Sequence, residues 1–159
     1  MHNSDLYNTL LTLSRNLYFY KNVKLKDSFE TRIYLIFMHF SVMLIIYKYK
    51  HIKFPQIKYD SLFHCIENNL RELGIGDVAV NKKMKDFNKI CYDILLKISK
   101  NEDKFEINEK LVFKYFNDIG DIKDKKMTSF TRYFNNFYNY CFDIDPKIMI
   151  KEAIKFKLL

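Results

Sequence analysis

The sequence predicts an all-α fold, a single domain of six or seven helices over residues 1–159. Three observations carry this. Apolar residues recur at steps of three and four along nearly the whole chain, which lines them up on one face of successive helices. Only 3 Gly and 2 Pro occur, too few for the many tight turns of a β-sandwich or barrel. Helix-capping residues also stand where most of the periodic runs begin.

Taken in order, Ser4 can cap a first helix running through Leu6, Leu10, Leu13 and Leu17 to Tyr20. A basic, polar linker over residues 21–26 follows. Asp27 and Glu30 have the spacing of a capping box, at the head of a long helix that ends near Tyr49. Residues 33–47 of that helix carry no formal charge. A membrane span needs about 20 such residues, and His39 and Ser41 interrupt the run, so a buried central helix is expected. Pro55 marks the next break, after which Asp60 or Ser61 caps a helix with Leu62, Phe63, Ile66, Leu70 and Leu73. Gly74 can stop that helix by taking a left-handed conformation.

Asp77 is positioned to cap the following helix, where Val80, Met84, Phe87, Cys91, Ile94 and Ile98 form a seam for packing on another helix. Residues 100–104 read as a loop. Asn108 caps a short helix with Leu111, Val112, Tyr115, Phe116 and Ile119, ended by Gly120. After a polar link over 121–126, Met127, Phe130, Phe134, Phe137 and Cys141 make a second seam. Asp145-Pro146 then supplies a cap and a proline at the first position of a terminal helix. That helix is basic and amphipathic, with Lys147, Lys151 and Lys155 on one stripe and Ile150, Ile154 and Leu158 on another.

The composition invites a nucleic-acid reading: aromatics reach 17%, and 27 Lys+Arg against 19 Asp+Glu leave a net charge of +8. The same chain is rich in Lys, Ile, Asn, Phe and Tyr and holds only two Ala and four Arg, the signature of AT-rich codons. Its charge permits an anionic partner without selecting one. The aromatics from Phe130 to Phe142 largely repeat at core spacing, which favours core and partner groove over a base-stacking platform.

Cys65, Cys91 and Cys141 show no metal-ligand or CxxC spacing and read as reduced core thiols, with no cofactor or metal expected. His39, alone in its apolar helix, reads as a satisfied core histidine, since a second haem or metal ligand at useful spacing is missing. No secretory signal is expected from the N-terminus, which gives a cytoplasmic expectation. No nucleophile–base pair or paired acid set points to an enzyme.

The most distinctive segment is Leu70-Arg71-Glu72-Leu73-Gly74-Ile75-Gly76-Asp77, which holds two of the three glycines. It lacks the GxGxxG and GK[ST] patterns and a preceding strand, so it is no phosphate loop. A tight helix–helix corner explains Gly74, Gly76 and Asp77, but not Arg71 and Glu72 before the turn or Lys82, Lys83 and Lys85 after it. Arg32 and Arg71 stand out because lysine supplies nearly all the other cations. A guanidinium kept against that bias serves either a binding contact or an ion pair, for Arg71 with Glu30 or Asp77.

Two blocks resemble the ubiquinol–cytochrome c chaperone family. Asp27-Ser28-Phe29-Glu30-Thr31-Arg32, followed by an apolar helix bearing His39, is similar to the family's Asp-Thr/Ser-Phe-Glu-x-Arg element. The segment Leu70–Asp77, with Val80 and the basic run Lys82, Lys83 and Lys85, is similar to its Leu-Arg-Glu-Met-Gly-Val-Gly-Asp signature. The resemblance covers roughly residues 27–90. Family members commonly continue with Tyr-Gly-Arg, where this chain has Ile90-Cys91-Tyr92-Asp93-Ile94.

The resemblance implies an assembly factor, in a bacterial member of the family, that binds newly made cytochrome b. A small partner protein and the ribosome are the further contacts it implies, and the basic surface with its amphipathic last helix adds an expected peripheral contact with the anionic inner face of the membrane. The partner-binding residues it implies are Arg32, Arg71, Glu72, Gly74, Gly76, Asp77, Lys82 and Lys83. A basic helical module for nucleic acid or ribosome is the alternative. An apolar groove bordered by Arg71, Glu72, Lys82 and Lys83 would favour the chaperone, and a basic stripe bordered by aromatics would favour nucleic acid.

Overall fold

A helix that is apolar on every side has to be surrounded, and the chain folds around one: α3 (Phe29–Tyr49). The computed structural model describes residues 4–158. Helices α1 (Asp5–Ser14), α5 (Asp77–Lys97) and α7 (Lys125–Phe142) pack directly on α3. Helix α4 (Gln56–Glu72) lies against α5 and α1, α6 (Glu109–Tyr115) against α7, and α8 (Met149–Ala153) bridges α1 and α7. Together with α2 (Leu17–Lys21), these are six helices of seven or more residues and two of five, with no strand among the described residues. The loop after α5 is pinned by one isolated antiparallel bridge, Ser99 to Ile107.

Both predicted seams are buried. Val80, Phe87, Cys91, Ile94 and Ile98 of the α5 run, and Met127, Phe130, Phe134, Phe137 and Cys141 of α7, all face the core. Along α3, residues on all sides are enclosed, from Ile33 to Tyr47. It is long and apolar enough to cross a membrane, yet its role is that of the central core helix.

Several predicted boundaries shift, each for a local reason. The first helix stops at Ser14: Asn16 caps a new start by accepting from the Tyr18 amide at 3.0 Å, and Leu17 is turned out, 61% exposed. The capping box at the head of α3 belongs to a different residue. Ser28 Oγ accepts from the Thr31 amide at 3.2 Å, while Glu30 lies 3.9 Å from the Lys83 ammonium. Helix α4 begins at Gln56, ahead of Asp60 and Ser61, because Pro55 at φ −63° already sets the chain for helix entry.

Asp77 lies inside α5, with Gly76 at the cap position. Helix α6 ends at Tyr115, short of Gly120. Asp145 caps a turn by accepting from the Lys147 amide at 3.0 Å, and α8 opens only at Met149. The basic linker contributes Val23 and Leu25 to the core.

His39 is fully buried between Phe134 and Phe137, with ring centroids 4.8 and 4.9 Å away. Its Nδ1 donates to the Leu35 carbonyl at 2.7 Å, which leaves Nε2 to accept from the Tyr133 hydroxyl at 2.8 Å. Both ring nitrogens are therefore satisfied by protein. Burial pushes the imidazole down to about 3, so it is neutral across the physiological range.

Candidate functional site

The glycine-rich corner between α4 and α5 closes with a complete Schellman cap. The Gly74 amide donates to the Arg71 carbonyl at 2.9 Å and the Ile75 amide to the Leu70 carbonyl at 3.3 Å. Gly74 sits at φ +84°, the left-handed region where a Cβ is penalised. Gly76 has ordinary extended angles, φ −69° and ψ 157°, and an added Cβ would meet nothing within 4 Å. The fold therefore explains Gly74 and gives no steric reason for Gly76.

Arg71 spans this corner. Its guanidinium pairs with Asp77 across the turn and lies 3.9 Å from Glu67 one turn back in α4. The cation sits in the last turn of α4 and the carboxylate in the first turn of α5, each on the favourable end of its helix dipole. Arg71 remains 41% exposed, so an exposed pair of this kind contributes about 0.2–1 kcal/mol. Around it Leu73 and Val78 project into solvent, 61% and 86% exposed.

Beside the corner, α1, α3 and α4 leave a groove of about 380 Å³. Its floor is apolar, from Leu11, Phe29, Ile33, Ile36 and Leu73, and its rim carries Arg15, Arg32 and Glu72. Arg32 pairs with Asp27 at 3.1 Å, which fixes its reach toward the groove, and its Nε is buried without a hydrogen-bond partner. Asn69 donates to the Tyr7 hydroxyl along the same wall, tying α4 to α1. An apolar floor with two guanidinium groups and a carboxylate at its edge suits a hydrophobic segment that also offers hydrogen-bonding groups.

The structure thus gathers part of the predicted set. Arg32 and Glu72 meet at the groove, while Arg71, Gly74, Gly76 and Asp77 build the corner next to it. Lys82 is exposed on α5 and Lys83 faces Glu30; neither lines the groove. Sequence reasoning missed Arg15, Tyr7, Asn69 and the contribution of α1. Arg15 carried the same signal as Arg32 and Arg71, an arginine in a lysine-dominated chain.

Two other groups of side chains hold elements together. Asp93 accepts from Lys97 at 2.7 Å, from Lys114 at 2.9 Å and from the Tyr115 hydroxyl. Partial burial pushes its carboxyl up, but these donors outweigh it and hold the group well below the usual carboxylate range. The aromatics of α7 are spent on the core: Phe130, Tyr133, Phe134 and Phe137 are fully buried, so they offer no stacking platform for bases. Among the described residues no cluster of His, Cys, Asp and Glu is arranged to hold a metal ion.

A family model described as ubiquinol-cytochrome C chaperone matches residues 21–136, a span that contains the corner and most of the groove. No curated protein and no solved structure matches the chain.

Proposed function

Because this chain belongs to the ubiquinol–cytochrome C chaperone family and so has a chaperone role in assembly, we propose that its client is newly made cytochrome b. The groove between α1, α3 and α4 is the seat. The observation that carries this reading is the pairing of an apolar floor with Arg15, Arg32 and Glu72 at the rim, beside the exposed Leu73. An unassembled membrane helix displays apolar side chains that water penalises, and a groove of this kind covers them until the proper subunits do so.

The corner has a supporting part. The Arg71–Asp77 pair holds the α4 and α5 ends together and so sets where Leu73 and Val78 project. A small partner protein and the ribosome complete the proposal, with exposed Lys82 and Lys85 supplying charge toward ribosomal phosphate. The protein works in the cytoplasm and at the inner face of the membrane, where its client must be handed over.

Leu73→Asp tests the seat, because that side chain is exposed and its replacement leaves the core intact. Expected is loss of nascent cytochrome b capture in a pull-down of translating ribosomes, with an unchanged unfolding midpoint. Leu96→Asp, at a still more exposed position outside the groove, should capture normally. Deletion of the gene should deplete assembled quinol–cytochrome c reductase on blue-native gels. Normal levels of the complex after deletion would sink the reading.

A further inference from the structure

On the other side of α1 lies a larger groove, about 880 Å³, walled by α1, the segment after α3, the start of α4 and the C-terminal turn and helix. Lys53, Lys58, Lys147 and Lys151 stand around it against one carboxylate, Asp5. All four lysines are exposed, and among the described residues none takes part in an ion pair. Lys83, Lys97, Lys100, Lys114 and Lys155 have acidic partners while many other described lysines do not, so what sets this face apart is the gathering of four lysines around one apolar groove.

The groove is also aliphatic. Ile52 and Ile154 line it while 43% and 41% exposed, and Ile150 forms part of its floor. Two more isoleucines, Ile57 and Ile148, are 77% and 49% exposed immediately beside the lining residues Lys58 and Lys147. Two exposed isoleucines, Ile52 and Ile154, thus line one groove together with four exposed lysines.

We propose that this face is a binding site for anionic phospholipid, through which the protein docks on a negatively charged bilayer. Aliphatic side chains enter the boundary between headgroups and acyl chains, and the groove admits part of a chain. Lysines reach back along that boundary to lipid phosphates, their methylene stems resting on the apolar layer. A nucleic-acid site would instead present aromatic stacking surfaces or arginines between its lysines. The one aromatic residue lining this groove, Tyr47, is 7% exposed and donates its hydroxyl to the Pro146 carbonyl. The inference deepens the inner-face placement proposed above and does not depend on the identity of the client.

Vesicle co-sedimentation of the full chain tests it, with phosphatidylcholine vesicles alone and with added phosphatidylglycerol. Binding is expected only to the anionic vesicles. A quadruple variant, Lys53→Gln, Lys58→Gln, Lys147→Gln and Lys151→Gln, should lose about fivefold per lysine, on the order of several hundred-fold together. A control with the same charge loss, Lys89→Gln, Lys104→Gln, Lys110→Gln and Lys123→Gln, should lose far less. Ile52→Ser with Ile154→Ser should weaken binding although no charge changes, which separates bilayer insertion from simple attraction to phosphate. The proposal is overturned if the groove and control variants lose binding equally, or if the serine variant binds like wild type. It is also overturned if the chain ignores anionic vesicles but binds RNA or an acidic peptide through these lysines. Loss of vesicle binding is read without any client, so its outcome is independent of cytochrome b capture.

Discussion

Replacing Gly74 and Gly76 separately distinguishes a glycine that the backbone requires from one that it does not. At φ +84°, Gly74→Ala incurs the left-handed penalty of about 1–2 kcal/mol for an L-residue. No clash adds to it, since nothing lies within 4 Å of the new Cβ. Stiffening of the unfolded chain returns about 0.4–1 kcal/mol, so the net loss should be about 1 kcal/mol. For a chain of this size that lowers the melting temperature by about 2–4 °C. Gly76→Ala gains the same unfolded-state term and loses a comparable amount at the helix N-cap, for a net change within about 0.5 kcal/mol.

His51 supplies the mirror image. It ends α3 at φ +57° inside the same pair of hydrogen bonds, His51 amide to Lys48 carbonyl and Ile52 amide to Tyr47 carbonyl. His51→Gly should therefore stabilise by up to about 1 kcal/mol. Urea midpoints at constant m-value read all three. Equal destabilisation by Gly74→Ala and Gly76→Ala would refute the backbone argument. A Gly76→Ala protein that is stable but fails to capture client would assign that glycine to the contact surface.

Two further outcomes follow from the same geometry. Ser28→Ala should cost about 1 kcal/mol through the lost cap on α3, whereas Glu30→Ala should change stability by no more than an exposed ion pair does, about 0.2–1 kcal/mol; urea titration of the two variants separates them. His39 is held neutral in the folded state with its value lowered to about 3, against about 6.5 when unfolded. Between those values the unfolded chain binds a proton that the folded one refuses, so stability is full above pH 6.5 and falls as the pH drops through the window. The His39 contribution between pH 7 and pH 5 is on the order of 2 kcal/mol, and His39→Gln should show a correspondingly flatter urea midpoint over that range.

How much was legible in the sequence depended on whether the cause was local. The α5 and α7 seams were readable because each buries a single stripe, and the Gly74 cap because its hydrogen bonds close within six residues. The break at Asn16 was hidden because Leu17 continues the apolar period although it points to solvent. Val23 and Leu25 escaped notice because they are buried from a non-helical linker, where a helical template has no register for them. The groove between α1, α3 and α4 was the least readable feature. It brings Tyr7 and Arg15 next to Asn69 and Glu72, residues separated by most of three helices in the chain. Only Arg32, Glu72 and the adjacent turn lay within a contiguous pattern.

The two grooves constrain each other through α1. Tyr7, Leu11 and Arg15 wall the smaller groove, Asp5 and Thr9 wall the basic one, and Asn8 borders both. The two grooves meet at Asn8 but diverge along the bundle, for Leu73 stands fifteen residues, about 22 Å of helix rise, beyond Lys58 in α4. A membrane surface bound through Lys53, Lys58, Lys147 and Lys151, as proposed, would leave Leu73 about 20 Å along α4 from the nearest of these lysines. An apolar membrane helix carried through water needs cover on all its faces and not only one. A shallow groove of about 380 Å³ covers part of one face. On the proposed reading, in which this groove seats a client helix, its modest size argues against long-range carriage of that helix through water.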